Sequence, residues 1–337
     1  MPSGPHAALL VPGLATGIGS LPGTDPEAAV EVVLAETPRL PFAPQLPNRG
    51  PREGMLAQWL DLLPEVTIAP DGSIVVDLEA AHGMPILRLD ETAHSGLAAF
   101  LDAASTRADD LPRIKLQMTG PLTLGVALMH AGMPPALAFE RARICATGWA
   151  LHLQGIVESR LPASRLLLFI DEPALVRWAR DDEPIARDDA VDLLSSVLAQ
   201  LTCVTGVHVC GDGDVRIAHA AGPDVLGLTA SDALIDHADV VMRHLEADGW
   251  IAWGAVPTDR PLGDSTEGPW RRLVGLWCDL TRRGCDPVRL RTHGLVTPTC
   301  GLAGYGESQA VRALRIAREM ADRIGDQAVA ARLTVGA

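Results

Sequence analysis

The sequence predicts an α/β fold, a single (β/α)8 TIM barrel occupying all 337 residues. Three observations predict it. Eight short apolar runs, near residues 15, 75, 115, 167, 206, 226, 252 and 295, alternate with stretches of helical spacing, the pattern of a parallel sheet with right-handed crossovers. Leu166 to Ile170 is a continuous apolar run closed by Asp171-Glu172-Pro173, as in a strand buried on both faces with acids at its carboxyl end. No Gly-x-Gly-x-x-Gly turn with an acid about 20 residues on follows the first strand, so a dinucleotide fold loses ground. The length suits one α/β barrel.

In order along the chain, Gly13 to Ser20 reads as the first strand, and Asp25-Pro26-Glu27 opens a helix with a capping acid and a proline in the first turn. Residues 39 to 54, rich in Pro, Gly and Asn, read as a long loop over one rim. Helical spacing returns from Met55 to Leu63, and Ser73 to Leu78 alternates as a strand or part of a hairpin, the second of the eight apolar runs. Arg113 to Thr119 is a strand ending at the Gly120-Pro121 turn, followed by a helix over 122–130. A long helix from Pro134-Pro135 carries Ala142, Cys145, Trp149 and Ile156 on one face, which makes Cys145 a small core hydrophobe. A helix over 188–201 leads to the strand Val204 to Cys210, and the next strand is Val225 to Leu228. Helices near 232–248 and 269–282 flank the strand Trp250 to Val256, placing Cys278 in a helix and Cys285 just after one. The last strand, His293 to Thr297, runs to Cys300, and Val311, Leu314, Ala321 and Ile324 mark a final helix that stops before Gly325.

Composition narrows the function. Hydrophobic residues make up 47% of the chain but are nowhere gathered into a span of about 18 that crosses a bilayer, so no membrane partner is expected. A net charge of -14 argues against nucleic acid, whose phosphates require a dense Lys/Arg surface. The opening residues, Met1-Pro2-Ser3-Gly4-Pro5-His6, lack the basic and apolar regions of an export signal, so cytoplasmic residence is expected. Six cysteines in so long a chain are too sparse for a disulfide scaffold and are expected as thiols.

The chemistry centres on His208-Val209-Cys210. Side chains two apart on a strand point the same way, so the imidazole and the thiol face one ion together. Zinc takes about four ligands, typically nitrogen and sulfur, and Cys300 is the best candidate for the next. Ser20, Thr119, Asp171, His208, Cys210 and Cys300 all fall at or just past carboxyl ends of predicted strands, the face on which α/β barrels carry their chemistry. Taken singly, a strand histidine is more often a core residue, and Asp-Glu-Pro can simply start a turn. Their joint placement points to one bowl.

Ile18-Gly19-Ser20-Leu21-Pro22, Met118-Thr119-Gly120-Pro121-Leu122-Thr123, Ile170-Asp171-Glu172-Pro173, His208-Val209-Cys210 and Cys300-Gly301-Leu302, in this order, resemble the catalytic half of cobalamin-independent methionine synthase. The resemblance implies a TIM barrel in which His208, Cys210 and Cys300 bind Zn2+, and an S-methyltransferase that methylates the thiol of homocysteine in methionine biosynthesis. It also implies a substrate site at Ile18, Gly19, Ser20 and Thr119, with Ser20 toward the carboxylate and Asp171 toward the ammonium group. This chain departs from the family pattern at several positions. The family's fourth ligand, a glutamate, aligns with Thr229, leaving nearby Asp232 or water as substitutes. A glutamate that holds the amino group aligns with Ala57, beyond Glu53. The Tyr-Asp-Ile-His stretch is here Val256-Pro257-Thr258-Asp259, and the family's amino-terminal barrel and a tryptophan after the Gly-Pro turn have no counterpart. The methyl donor is therefore open between a folate and a methyl-corrinoid carried by another protein. The competing expectations are a uroporphyrinogen decarboxylase-like enzyme, for which Arg39, Arg49 and Arg52 only loosely supply the arginines, and a non-catalytic ligand-binding barrel.

Overall fold

The computed structural model describes residues 10–60, 63–80, 83, 87–107 and 110–335; the opening hexapeptide lies outside these residues. In chain order the strands are β1 (Leu14–Ala15), β2 (Val66–Ile68), β3 (Ile74–Val76), β4 (Arg113–Thr119), β5 (Arg165–Asp171), β6 (Val204–His208), β7 (Val225–Thr229), β8 (Trp250–Val256) and β9 (Gly294–Pro298). Seven of them form one parallel sheet in the order β1-β9-β8-β7-β6-β5-β4, curled and surrounded by helices as a TIM-type α/β barrel. The helices that matter below are α1 (Pro26–Glu36), α2 (Ala57–Leu60), α3 (Ser95–Ser105), α4 (Pro121–His130) and α5 (Pro135–Arg160). They are followed by α6 (Leu175–Ala179), α7 (Arg187–Leu198), α8 (Val215–Ala220), α9 (Ala238–Glu246), α10 (Glu267–Arg282), α11 (Pro287–Thr292) and α12 (Glu307–Val335). Among the described residues no helix is long and apolar enough to cross a membrane.

The run near residue 75 is part of a hairpin, one of the two readings that its alternation allows, and is not among the strands of the barrel sheet. β3 pairs only with β2, as an antiparallel hairpin outside the barrel sheet, and Val75 is exposed. The place between β1 and β4 is taken by residues 41–45, which the composition marks as loop. Lys115 N donates to Pro41 O at 2.8 Å and Ala43 N to Lys115 O at 3.0 Å. On the other side Gln45 N donates to Gly19 O at 3.0 Å and Leu21 N to Gln45 O at 2.9 Å. Pro41 and Pro44 have no N–H to give, so the pairing is reduced to single bridges and the segment carries no strand signature.

Two further expectations are corrected. The helix near 232–248 is a 3-10 turn, Asp232–His237, followed by α9. The last helix does not stop at Gly325 but runs through it to Val335. The glycine that this packing needs is Gly13: a Cβ there would stand 2.7 Å from Ala321 O and 2.8 Å from the Gly325 Cα, so the segment before β1 and α12 meet backbone to backbone. The Asp25 cap is as expected, its carboxylate accepting from Ala28 N at 3.1 Å.

The period of two along each strand separates two cores. Outward residues such as Leu116, Leu168, Val207, Leu226 and Val296 pack under the helices. Inward residues Leu14, Leu167, Phe169, Val204, Val225, Ala252 and Leu295 fill the barrel itself. Gly206 on β6 and Gly227 on β7 make room for the Phe169 ring, which would lie 2.7 and 3.1 Å from a Cβ at these positions. The plug seals the barrel from below and leaves the upper layer of inward positions to polar groups.

Glu172, fully buried just past β5, ties the sheet to the next layer. It accepts from Leu122 N at 2.9 Å, Thr123 N at 2.8 Å and Thr123 Oγ1 at 2.6 Å, so a carboxylate from one strand caps the helix that follows its neighbour. Glu172→Ala leaves three buried donors unpaired and is expected to cost about 3 kcal/mol or more of unfolding free energy. Glu172→Gln, which keeps the shape and part of the cap, is expected to cost clearly less; equal losses in denaturant unfolding would show that the cap is not what holds the turn.

Candidate metal centre

Thr119, Asp171 and His208 are brought side by side by sheet register: Thr119 is the Cα partner of Asp171, and Asp171 of His208. All three point inward above the apolar plug. Cys210 follows one inward step beyond His208. Cys300 lies past β9 on a segment held from both sides, by Thr299 N to Val256 O at 2.9 Å and by Leu302 N to Ser20 O at 2.8 Å. The Thr258 hydroxyl and Thr299 hydroxyl, 2.8 Å apart, join the loops after β8 and β9.

The ligand atoms of His208, Cys210 and Cys300 lie within 4.8 Å of one another. The two sulfurs are 3.4 Å apart. That is far beyond a disulfide bond of about 2.05 Å, and close to the roughly 3.8 Å that separates two thiolates on one tetrahedral zinc with Zn–S bonds of about 2.3 Å. His208 is only 4% exposed, and neither of its ring nitrogens makes a hydrogen bond among the described residues. An orphaned imidazole beside two thiols is the donor set of a soft, tetrahedral cation. The Cys210 thiol beside it, and then His208, hold the Cys300 thiol down at about 4, while Cys300 and burial push Cys210 up. The residues present fit zinc.

The other candidate residues divide. Asp171 is 7% exposed, and its Oδ1 has no hydrogen-bond partner among the described residues. Burial pushes its pKa up to about 6, against the pull of His208 and Lys115. The Ser20 hydroxyl lies against Gly301, next to Cys300, so the first strand's end reaches the cluster. Gly19 packs against the Gln45 and Gln117 amides, and the Ile18 carbonyl accepts from Lys115. The Thr119 hydroxyl is occupied, donating to Met55 O at 2.7 Å. Asp232 is exposed at the start of its 3-10 turn and is not in the His-Cys-Cys group. Thr229 ends β7, its hydroxyl buried without a hydrogen-bond partner among the described residues, and Ala57 opens α2, buried. Glu53 is held by the Ser95 hydroxyl at 2.6 Å and by Arg49 at 2.7 Å, so its carboxylate is already engaged.

Two inward polar residues escaped the sequence reading. Lys115 is 1% exposed inside the barrel, its Nζ donating to Ile18 O at 2.7 Å and to Gln117 Oε1 at 3.0 Å, and lying 5.0 Å from the Phe169 ring centre. Burial pulls its pKa down to about 8, with Asp171 opposing. Gln117 in turn donates to Ala43 O at 2.7 Å. Their signal was the alternation Lys115-x-Gln117-x-Thr119, polar on one face of an otherwise apolar strand.

No family model matches the sequence, and no curated protein matches it. Among solved structures, the fold is similar to a B12-independent methionine synthase from Shewanella sp. W3-18-1 in complex with selenomethionine. The TM-score is 0.66 at 14% sequence identity, over 95% of this chain and 99% of that one. A GH113 beta-1,4-mannanase overlays with a TM-score of 0.44 at 10% identity, over 93% of this chain and 99% of that one, too loosely to argue from. What the likeness to the methionine synthase shows is the barrel fold.

Cys210→Ala and Cys300→Ser are each expected to abolish tight zinc binding by the purified protein. Cys145→Ala should keep it, since that thiol is buried against Trp59 O at 3.3 Å in the helical layer. It should instead cost on the order of 1 kcal/mol of stability through a small cavity. Metal content by elemental analysis, run beside denaturant unfolding, checks both; equal zinc loss from all three substitutions would undo the assignment.

Proposed function

We propose that the protein is a zinc-dependent S-methyltransferase that acts on a thiol of the homocysteine type in methionine formation, with the whole site carried on one barrel. The observation that carries this reading is the convergence of His208, Cys210 and Cys300 at the carboxyl mouth of the barrel. Zinc held by these three residues supplies one thing, removal of the proton from a bound substrate thiol, which titrates near about 8.5 when free, so that the sulfur is left nucleophilic. Three protein ligands are the number that catalytic zinc sites provide. The fold shared with a methionine synthase is compatible with this reading.

The chain's own residues would hold the rest of the substrate. Ile18-Gly19-Ser20, with the Ser20 hydroxyl beside the Cys300 loop, would receive the carboxylate. The unpartnered Oδ1 of Asp171 would receive the ammonium group. With Ala57 apolar and Glu53 engaged by Ser95 and Arg49, Asp171 would do so alone. The apolar plug of Phe169, Leu167 and Val225 closes the bowl from beneath and keeps water from entering on that side.

The direct test is to purify the protein without added zinc, measure its metal, and incubate it with homocysteine and either methyltetrahydrofolate or methylcobalamin, looking for methionine by mass spectrometry. One zinc per chain and methionine from one of the two donors is the expected outcome, and it names the donor. A folded, metal-free protein that forms no thioether would overturn the reading.

Substrate discrimination is expected to be loose. A single charge-assisted hydrogen bond is worth about 1.5–3 kcal/mol, or roughly ten- to a hundredfold in affinity. Calorimetric titration of zinc-loaded protein should show no larger preference than that for homocysteine over 4-mercaptobutyrate, which lacks the amine, and Asp171→Asn should erase it. A preference that survives Asp171→Asn would mean that another acid holds the amine.

A further inference from the structure

Of the 28 basic residues in the sequence, one alone is a lysine, Lys115, and it is the one buried in the barrel. Every other basic position is arginine. The distinction is physical: an ammonium is compact and points its donors in three directions, whereas a guanidinium is a flat fork that needs more room and a planar partner. Lys115 uses the compact shape, reaching Ile18 O and Gln117 Oε1 at once beneath the bowl with the Phe169 ring beside it. Burying a charge is costly unless it is paired and hydrogen-bonded, so its retention needs a reason.

The surroundings supply one. This is the side of the ring with the fewest backbone bonds: β1 is two residues long, and residues 41–45 join their neighbours only by isolated bridges. Lys115 compensates for the missing ladder. It ties β4 to the end of the first strand through Ile18 O, and through Gln117, whose amide donates to Ala43 O, it reaches the 41–45 segment as well. The direction in which the Ile18, Gly19 and Ser20 peptide groups face is thereby set from below.

We infer that Lys115 is the positioning residue for the substrate's carboxylate: it orients Ile18-Gly19-Ser20 without touching the ligand. The inference rests on the functional reading above, in which that turn receives the carboxylate. It differs from a plain structural role in being specific to one end of the ligand.

The test uses the zinc-loaded full chain, Lys115→Met, and two thiols, homocysteine and its decarboxylated analogue 3-aminopropane-1-thiol. Loss of the oriented turn is expected to weaken homocysteine by about tenfold or more, the size of one charge-assisted contact. Zinc content should stay at one per chain, and the decarboxylated thiol should bind as it does to the parent protein. Unchanged homocysteine affinity overturns the inference, and so does an equal loss for both thiols, which marks a general structural role. If the parent protein binds neither thiol, the functional reading itself has failed. Should Lys115→Met not fold, the parent protein grown on lysine labelled with nitrogen-15 at Nζ gives a single side-chain signal. Homocysteine is expected to shift that signal and 3-aminopropane-1-thiol to leave it in place; a signal unmoved by saturating homocysteine is a negative answer.

Discussion

The in-register pairing of β4, β5 and β6 is the constraint on which the site depends. In a parallel sheet each residue's side chain shares its face with its Cα partner and with residues two away. Once Leu167, Phe169 and Val204 are committed to the barrel's apolar interior, Asp171 and His208 must also face inward, one layer up. Their polarity then has nowhere to go but the bowl. Slipping any of these strands by one residue would turn both groups into the helical layer and bring Ile170 and Val207 inward, so the hydrophobic packing that specifies register also aims the candidate ligands.

The charges gathered there are held at unusual settings for one shared reason, which is burial. Asp171 and Glu172 are pushed up to about 6 and about 7, while Lys115 is pulled down to about 8. Each is tolerated because something answers it. Glu172 takes three donors from the start of α4, Lys115 has a carbonyl and an amide, and Asp171 has the Lys115 ammonium and the His208 ring nearby. Only Asp171 Oδ1 and the His208 nitrogens are left without a hydrogen bond among these groups, and they face the same space as the two thiols. Unsatisfied buried polar atoms are expensive, and finding three of them beside two converging thiols is a physical mark of a ligand site.

Outside the ring, a second charged contact arranges the periphery. Arg141 on α5 and Glu65 at the start of the β2–β3 hairpin form an ion pair buried on both sides, and Arg141 also donates to Gly83 O at 2.6 Å. The hairpin is thus fastened to the helical layer and not to the barrel sheet. This explains how a segment with good strand alternation can sit outside the ring while a proline-rich one sits within it.

The sequence by itself determined the fold class, most element positions and the placement of the notable polar groups at strand ends, because hydrophobic periodicity and caps are local and each is written within a few residues. His208 and Cys210 were legible as a pair for the same reason, being two apart on one strand. Only the tertiary structure decided that Cys300, 90 residues beyond Cys210, comes to 3.4 Å from it. It alone also showed that residues 41–45 and not 73–78 complete the ring, that Glu53 and Thr119 are already engaged, and that Lys115 stands under the bowl. These depend on strand order, backbone approach and burial, which arise when distant segments pack; of them only Lys115 leaves a periodic trace in the chain, the polar alternation Lys115-x-Gln117-x-Thr119.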